Sequence, residues 1–158
     1  GYEKGPNLLP NPSFESSDGK LPSSWKVRTY SGSGAMEHAI EKSKNMVKTG
    51  KSSLRISSEG GHDTSAYASV ALKSGVRYSL SAWIKTDRVE GGGMGALLNV
   101  HELQQKAMTK GIRKTNDWQK VEIFFVSPSS RSVTINCLFG DGGAPRARHG
   151  LMIFHLMK

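Results

Sequence analysis

The chain of 158 residues has a single cysteine, Cys137, which excludes any intrachain disulfide. Its place in the apolar run VTINCLF marks it as a small core residue rather than a reactive thiol. No window approaches the roughly 18 consecutive apolar residues that a membrane-spanning helix needs, so a soluble domain with no membrane span is expected. The opening GYEKGP has neither a basic start nor an apolar stretch followed by small residues, so no signal peptide is visible. Residues 1–6 are expected to be a disordered linker or cloning remnant, and residues 7–158 one domain with a single core.

Catalytic signatures are equally scarce. No Gly-x-Ser-x-Gly elbow joins a strand to a helix; Gly32-Ser33-Gly34 is a loop. The five histidines, at 38, 62, 101, 149 and 155, form no close pair at metal spacing. Gly91-Gly92-Gly93-Met94-Gly95 lacks the lysine and the following helix of a phosphate loop. Glu15, Glu37, Glu41, Glu102, Glu122 and Asp141 supply carboxylates. No two share a context resembling the pair, about 5 to 10 Å apart, that glycoside hydrolysis uses. No enzymatic activity is expected.

Acidic residues are few beside basic ones, 13 against 22, and the formal net charge of +9 favours anionic partners. The cations are scattered. Only Lys110, Arg113 and Lys114, and separately Arg146, Arg148 and His149, form local clusters, and neither has the interleaved aromatics of a single-strand nucleic-acid groove. The excess therefore fits either a solvated surface or preference for an acidic polysaccharide, a uronate or sulphated glycan, over nucleic acid.

What the chain does have is strand periodicity. Val76, Tyr78, Leu80, Ala82 and Ile84 alternate with Arg77, Ser79, Ser81, Trp83 and Lys85. Ala96, Leu98 and Val100 alternate with Leu97, Asn99 and His101, and Val133, Ile135, Cys137 and Phe139 with Thr134, Asn136 and Leu138. Val121 to Val126, and Leu151 to Met157 apart from His155, are apolar on both faces and are expected to lie centrally or be covered on both sides. Shorter strands are expected at Trp25 to Tyr30, Met36 to Glu41, Ser53 to Ser57 and Ala66 to Leu72, making eight or nine in all. Turn signals separate them: 31–34, Gly60-Gly61, 91–93, Asn116-Asp117 and 140–143. Glu102 to Lys110 contains good helix formers but no clear cap or apolar stripe, so a strand running into a turn and a short strand at 107–113 is expected.

Five segments carry a further signal by their order: NLLPNPSFE at 7–15, SSW at 23–25, GKSSLRI at 50–56, SGVRYSLSAWIKT at 74–86 and DWQKVEIFF at 117–125. As a set they resemble the carbohydrate-binding modules of families 4, 9, 16 and 22, over roughly residues 7–158. The resemblance implies an all-β, antiparallel jelly-roll sandwich of the galactose-binding type, extracellular or at the cell surface. It implies a non-catalytic module appended to a larger secreted or surface protein, which it docks onto a polysaccharide or oligosaccharide. It also places Phe14, Trp25 and Trp118 in the core. A structural calcium is common in these families, and Glu15 and carbonyls of the turn Gly50-Lys51-Ser52 match two of its ligands, but His155 stands where an Asp is expected, which weakens the site.

A sugar site needs an aromatic for the C–H-rich face of a pyranose and polar side chains for its hydroxyls. The expected sugar contacts are Trp83 for stacking, with Lys85, Asn99, His101 and Asn136 on one polar sheet face, extended by Tyr30 and Tyr67. The rival expectations are a structural or protein-interaction sandwich that has lost its sugar, and nonspecific attraction to anionic surfaces.

Overall fold

A computed structural model describes residues 7–12, 14–19, 21–32, 34–90, 93–140 and 150–156, with the side chains of Asp18 and of 150–156 outside the description. The cluster Arg146, Arg148 and His149, the Gly140 to Gly143 turn beyond Gly140, and the turn residues Gly91 and Gly92 lie outside the described residues.

The chain runs through β1 (Ser17–Asp18), β2 (Leu21–Pro22), β3 (Lys26–Gly32), β4 (Met36–Glu41), β5 (Ser53–Ser58), β6 (His62–Leu72), β7 (Arg77–Val89), β8 (Ala96–Val100), β9 (Lys114–Val126), β10 (Arg131–Phe139) and β11 (Gly150–Leu156). All pairings are antiparallel. Apart from the short β1–β2 hairpin, the strands form a four-stranded sheet in the order β3-β6-β10-β8 and a five-stranded sheet in the order β4-β5-β11-β7-β9. From β5 onward each successive strand joins the opposite sheet, as a jelly roll requires. No described helix is long and apolar enough to cross a membrane.

The core lies between the sheets and is built by alternation. Ala66, Ala68 and Leu72 of β6, Val133, Ile135, Cys137 and Phe139 of β10, and Ala96, Leu98 and Val100 of β8 meet Leu54, Ile56, Leu80, Ala82, Ile84 and Val121 of the other sheet. Cys137 is fully buried, and burial pushes its thiol well above the ordinary range, consistent with an inert packing residue. Phe14 and Trp25 close one end of the core edge to face, with ring centroids 5.3 Å apart, and the Trp25 indole donates to the Pro10 carbonyl at 3.0 Å.

Four expectations need correction. Trp118 is only partly buried and stands outside the core cluster, because the ladder between β7 and β9 shifts register next to it. That same irregularity keeps Asn116-Asp117 within β9 rather than in a turn. β9 is an edge strand rather than a central one, and Phe124 and Val126 are more than half exposed; β11 does lie centrally, between β5 and β7. Residues His101–Ala107 form two 3-10 turns divided at Gln104, whose φ of 53° interrupts the helix. The Glu102 carboxylate pins them to β10 by accepting the Thr134 amide at 2.8 Å, a tertiary bond that overrides weak local propensity. Beyond them Met108 and Ile112 make isolated bridges to Asn99 and Ala96.

Candidate functional site

The predicted sugar contacts divide between two surfaces. Trp83 and Lys85 lie on β7, in the five-stranded sheet; Tyr30, Tyr67, Asn136 and Asn99 lie on β3, β6, β10 and β8, in the four-stranded one. The expectation that Trp83 and Lys85 share a face with Asn99, His101 and Asn136 is therefore overturned. Period-two alternation assigns a side chain to one face of its strand, but β7 and β8, adjacent in sequence, belong to opposite sheets. His101 is also displaced, opening the first 3-10 turn as an exposed residue at the rim.

On the outer face of the four-stranded sheet, registration builds two rows. Lys26, Tyr67, Asn136 and Asn99 stand opposite one another across all four strands. Arg28, Ser65, Leu138 and Leu97 form the adjacent row. Alternation points both rows away from the core, since the intervening Ala66, Ala68, Ile135, Cys137 and Leu98 fill it. Asn136 donates from Nδ2 to Asn99 Oδ1 at 2.9 Å. Its own Oδ1, and Ser65 Oγ, have no hydrogen-bond partner among the described residues, and the two residues are only 1% and 0% exposed. A buried carbonyl or hydroxyl left unmatched costs about 1–3 kcal/mol, so both atoms keep unmet hydrogen-bonding capacity, although neither is open to solvent.

Above this floor stand the aromatics. The Arg28 guanidinium carbon lies 5.0 Å from the Tyr30 ring centroid and 4.8 Å from that of Tyr67. Arg28 Nε also donates to Tyr30 Oη at 3.0 Å. Two tyrosines and a guanidinium thus make one partly exposed platform, with Tyr30 44% exposed. Sequence reading missed Arg28. Its signal was the alternation of Lys26, Arg28 and Tyr30 along an otherwise polar strand.

The surface around Trp83 is differently committed. Lys48 Nζ sits 4.3 Å from the Trp83 ring centroid. Lys85 donates to the Asn45 carbonyl at 3.1 Å and lies 3.7 Å from Asp117. Lys120, opposite Trp83 in the ladder, pairs with Glu122 at 3.9 Å. Further across the sheet, Arg55 bridges both Glu37 and Glu41. These two carboxylates, the ones that share a strand face, are thereby neutralised in a salt bridge rather than poised as acid and base.

Glu15 Oε1 accepts the Lys51 amide at 2.9 Å. A Cβ at Gly50, where φ is +69°, would collide with the same oxygen, so glycine is required on both counts. Among the described residues no group of three or more His, Cys, Asp or Glu is arranged to hold a metal ion. The Glu15 Oε2 and the carbonyls of the turn are the hard oxygens available there, and the side chain of His155, the remaining position of the expected calcium site, lies outside the described residues.

A family model described as a carbohydrate binding domain matches residues 6–137. Solved structures agree in fold. TmCBM61 in complex with beta-1,4-galactotriose superimposes with a TM-score of 0.67 at 19% identity, covering 98% of this chain and 99% of that one. A putative sugar binding protein from Bacteroides thetaiotaomicron gives 0.61 at 12% identity, covering 97% and 100%. The CBM22-1 xylan-binding domain from Paenibacillus barcinonensis Xyn10C gives 0.51 at 14% identity, covering 92% of each. Among curated proteins none matches the chain in sequence.

Proposed function

We propose a binding surface and a role for this chain, which belongs to the carbohydrate binding domain family and is a non-catalytic sugar-binding module. The glycan lies on the outer face of the four-stranded sheet. A pyranose ring stacks on Tyr67, with Tyr30 extending the platform. Its hydroxyls reach Asn99, which Asn136 holds in place, and His101 beyond it. The observation that carries this placement is the Tyr30–Arg28–Tyr67 cluster on the outer face, with Tyr67 in one row with Asn136 and Asn99. The Trp83 ring carries Lys48 as Tyr30 and Tyr67 carry Arg28, but the lysines beside Trp83 are engaged by Asn45, Asp117 and Glu122, whereas the terminal nitrogens of Arg28 have no partner among the described residues.

Such a surface suits a tether. The module holds a larger secreted or surface protein on a polysaccharide outside the cell and has no chemistry of its own. Isothermal titration against β-1,4-galactan oligosaccharides, xylan, β-glucan, pectin and alginate tests the assignment. Tyr67→Ala and Asn136→Ala are each expected to weaken binding by about tenfold or more, the scale of a lost stacking or hydrogen-bonding contact in a small site. Binding as tight as that of the unsubstituted chain in both variants would remove the site from this face.

A further inference from the structure

We infer that this face selects glycans bearing carboxylates, that is uronates, and that Arg28 is the residue that reads them; the inference rests on the site proposed above. Arg28 is held in place before any ligand arrives. Two tyrosine rings flank its guanidinium and the Tyr30 hydroxyl takes its Nε. Its terminal nitrogens have no partner among the described residues, and the described ion pairs of the chain engage Arg55, Lys85, Arg88 and Lys120 instead. A guanidinium already immobilised, with its fork unpaired, matches a planar carboxylate by two parallel hydrogen bonds.

The surroundings supply the rest of a uronate. Ser65 lies opposite Arg28 in the ladder, and Asn136 lies in the next row opposite Tyr67. A sugar packed on this platform with its carboxylate on the Arg28 fork lies along the row of Tyr67, Asn136 and Asn99. Lys26, opposite Tyr67, adds a second cation at the same edge. The overall charge of +9 raises encounter rates with any polyanion but does not distinguish arginine from lysine.

The test is calorimetric titration of the chain with alginate and polygalacturonate oligosaccharides and with their carboxyl-reduced, neutral counterparts, with a sulphated galactan as a further arm. At least one uronate should bind about tenfold or more tighter than its reduced form. Arg28→Lys, which keeps the charge but loses the fork, should weaken uronate binding about fivefold or more, and weaken it more than it weakens binding of the reduced form. No uronate binding, equal affinity for acid and reduced forms, or an unaffected Arg28→Lys variant would each overturn the inference. A sulphated galactan that binds as tightly as the uronate and suffers equally in Arg28→Lys would contradict selection for carboxylate. Tyr67→Ala separates the two levels. If it abolishes binding while acid and reduced forms bind alike, only the carboxylate inference fails; if it binds every glycan normally, the site itself fails.

Discussion

Asn136 Nδ2 bonds Asn99 Oδ1 at 2.9 Å across two strands of the four-stranded sheet, while Asn136 Oδ1 stays buried with no partner among the described residues. The bond holds the Asn136 amide, and with it the Asn99 side chain, in one orientation. Asn99→Ala removes the acceptor and strands a buried donor. We expect a loss of about 1–3 kcal/mol in urea unfolding. Glycan affinity should fall with it, because Asn136 is then free to rotate. Unchanged stability would mean that water replaces Asn99 at no cost.

Trp83→Ala should leave glycan affinity within about twofold. The indole meets a lysine rather than an open surface, and removing an exposed cation–π contact costs about 0.5–1 kcal/mol of stability at most. Loss of binding in this variant, with an intact fold by circular dichroism, would return the site to the five-stranded sheet.

His38 gives the fold a pH dependence. Its Nε2 is 2.9 Å from Thr64 Oγ1, joining β4 of one sheet to β6 of the other. Burial, and secondarily the nearby His62, pushes its imidazole down to about 4 from the usual value near 6.5. The unfolded chain therefore binds a proton that the folded chain refuses between these values. The stability tied to neutral His38 is complete above about pH 6.5 and is lost as pH falls toward 4. Allowing for screening at a side chain that is not fully buried, the effect is about 1–2 kcal/mol. In His38→Gln the slope of unfolding free energy over this range should flatten; an unchanged slope would assign it to other groups.

Gly50→Ala should destabilise by about 1–3 kcal/mol, since it combines a positive φ with a collision on the Glu15 carboxylate. Glu15→Gln, which keeps an oxygen for the Lys51 amide, should be milder. A chelator should not shift the melting temperature of the unsubstituted chain. A clear drop on chelation would show a cation bound at this turn.

The fold was largely legible in the sequence because alternation reports burial directly. Val133, Ile135, Cys137 and Phe139 are all buried, as their spacing indicates. The site was legible only in part. Tyr30, Tyr67, Asn99 and Asn136 were identifiable as polar-face residues, and they do share a sheet. Which sheet each strand joins depends on long-range pairing, and that is where Trp83 and Lys85 were misplaced. Phe124 and Val126 misled for the same reason: an apolar strand looks central until its neighbours are known, and β9 has one only on the β7 side. Arg28 escaped notice because an exposed strand carries no burial pattern at all.

The placement of the glycan is tested most directly by amide chemical-shift mapping of the isotope-labelled chain, titrated with the tightest oligosaccharide from the panel. Shifts concentrated at Arg28, Tyr67, Asn99 and Asn136, with Trp83, Lys85 and Lys48 unmoved, are predicted. Shifts centred on Trp83 and Lys85, with the four-stranded sheet silent, would contradict the account.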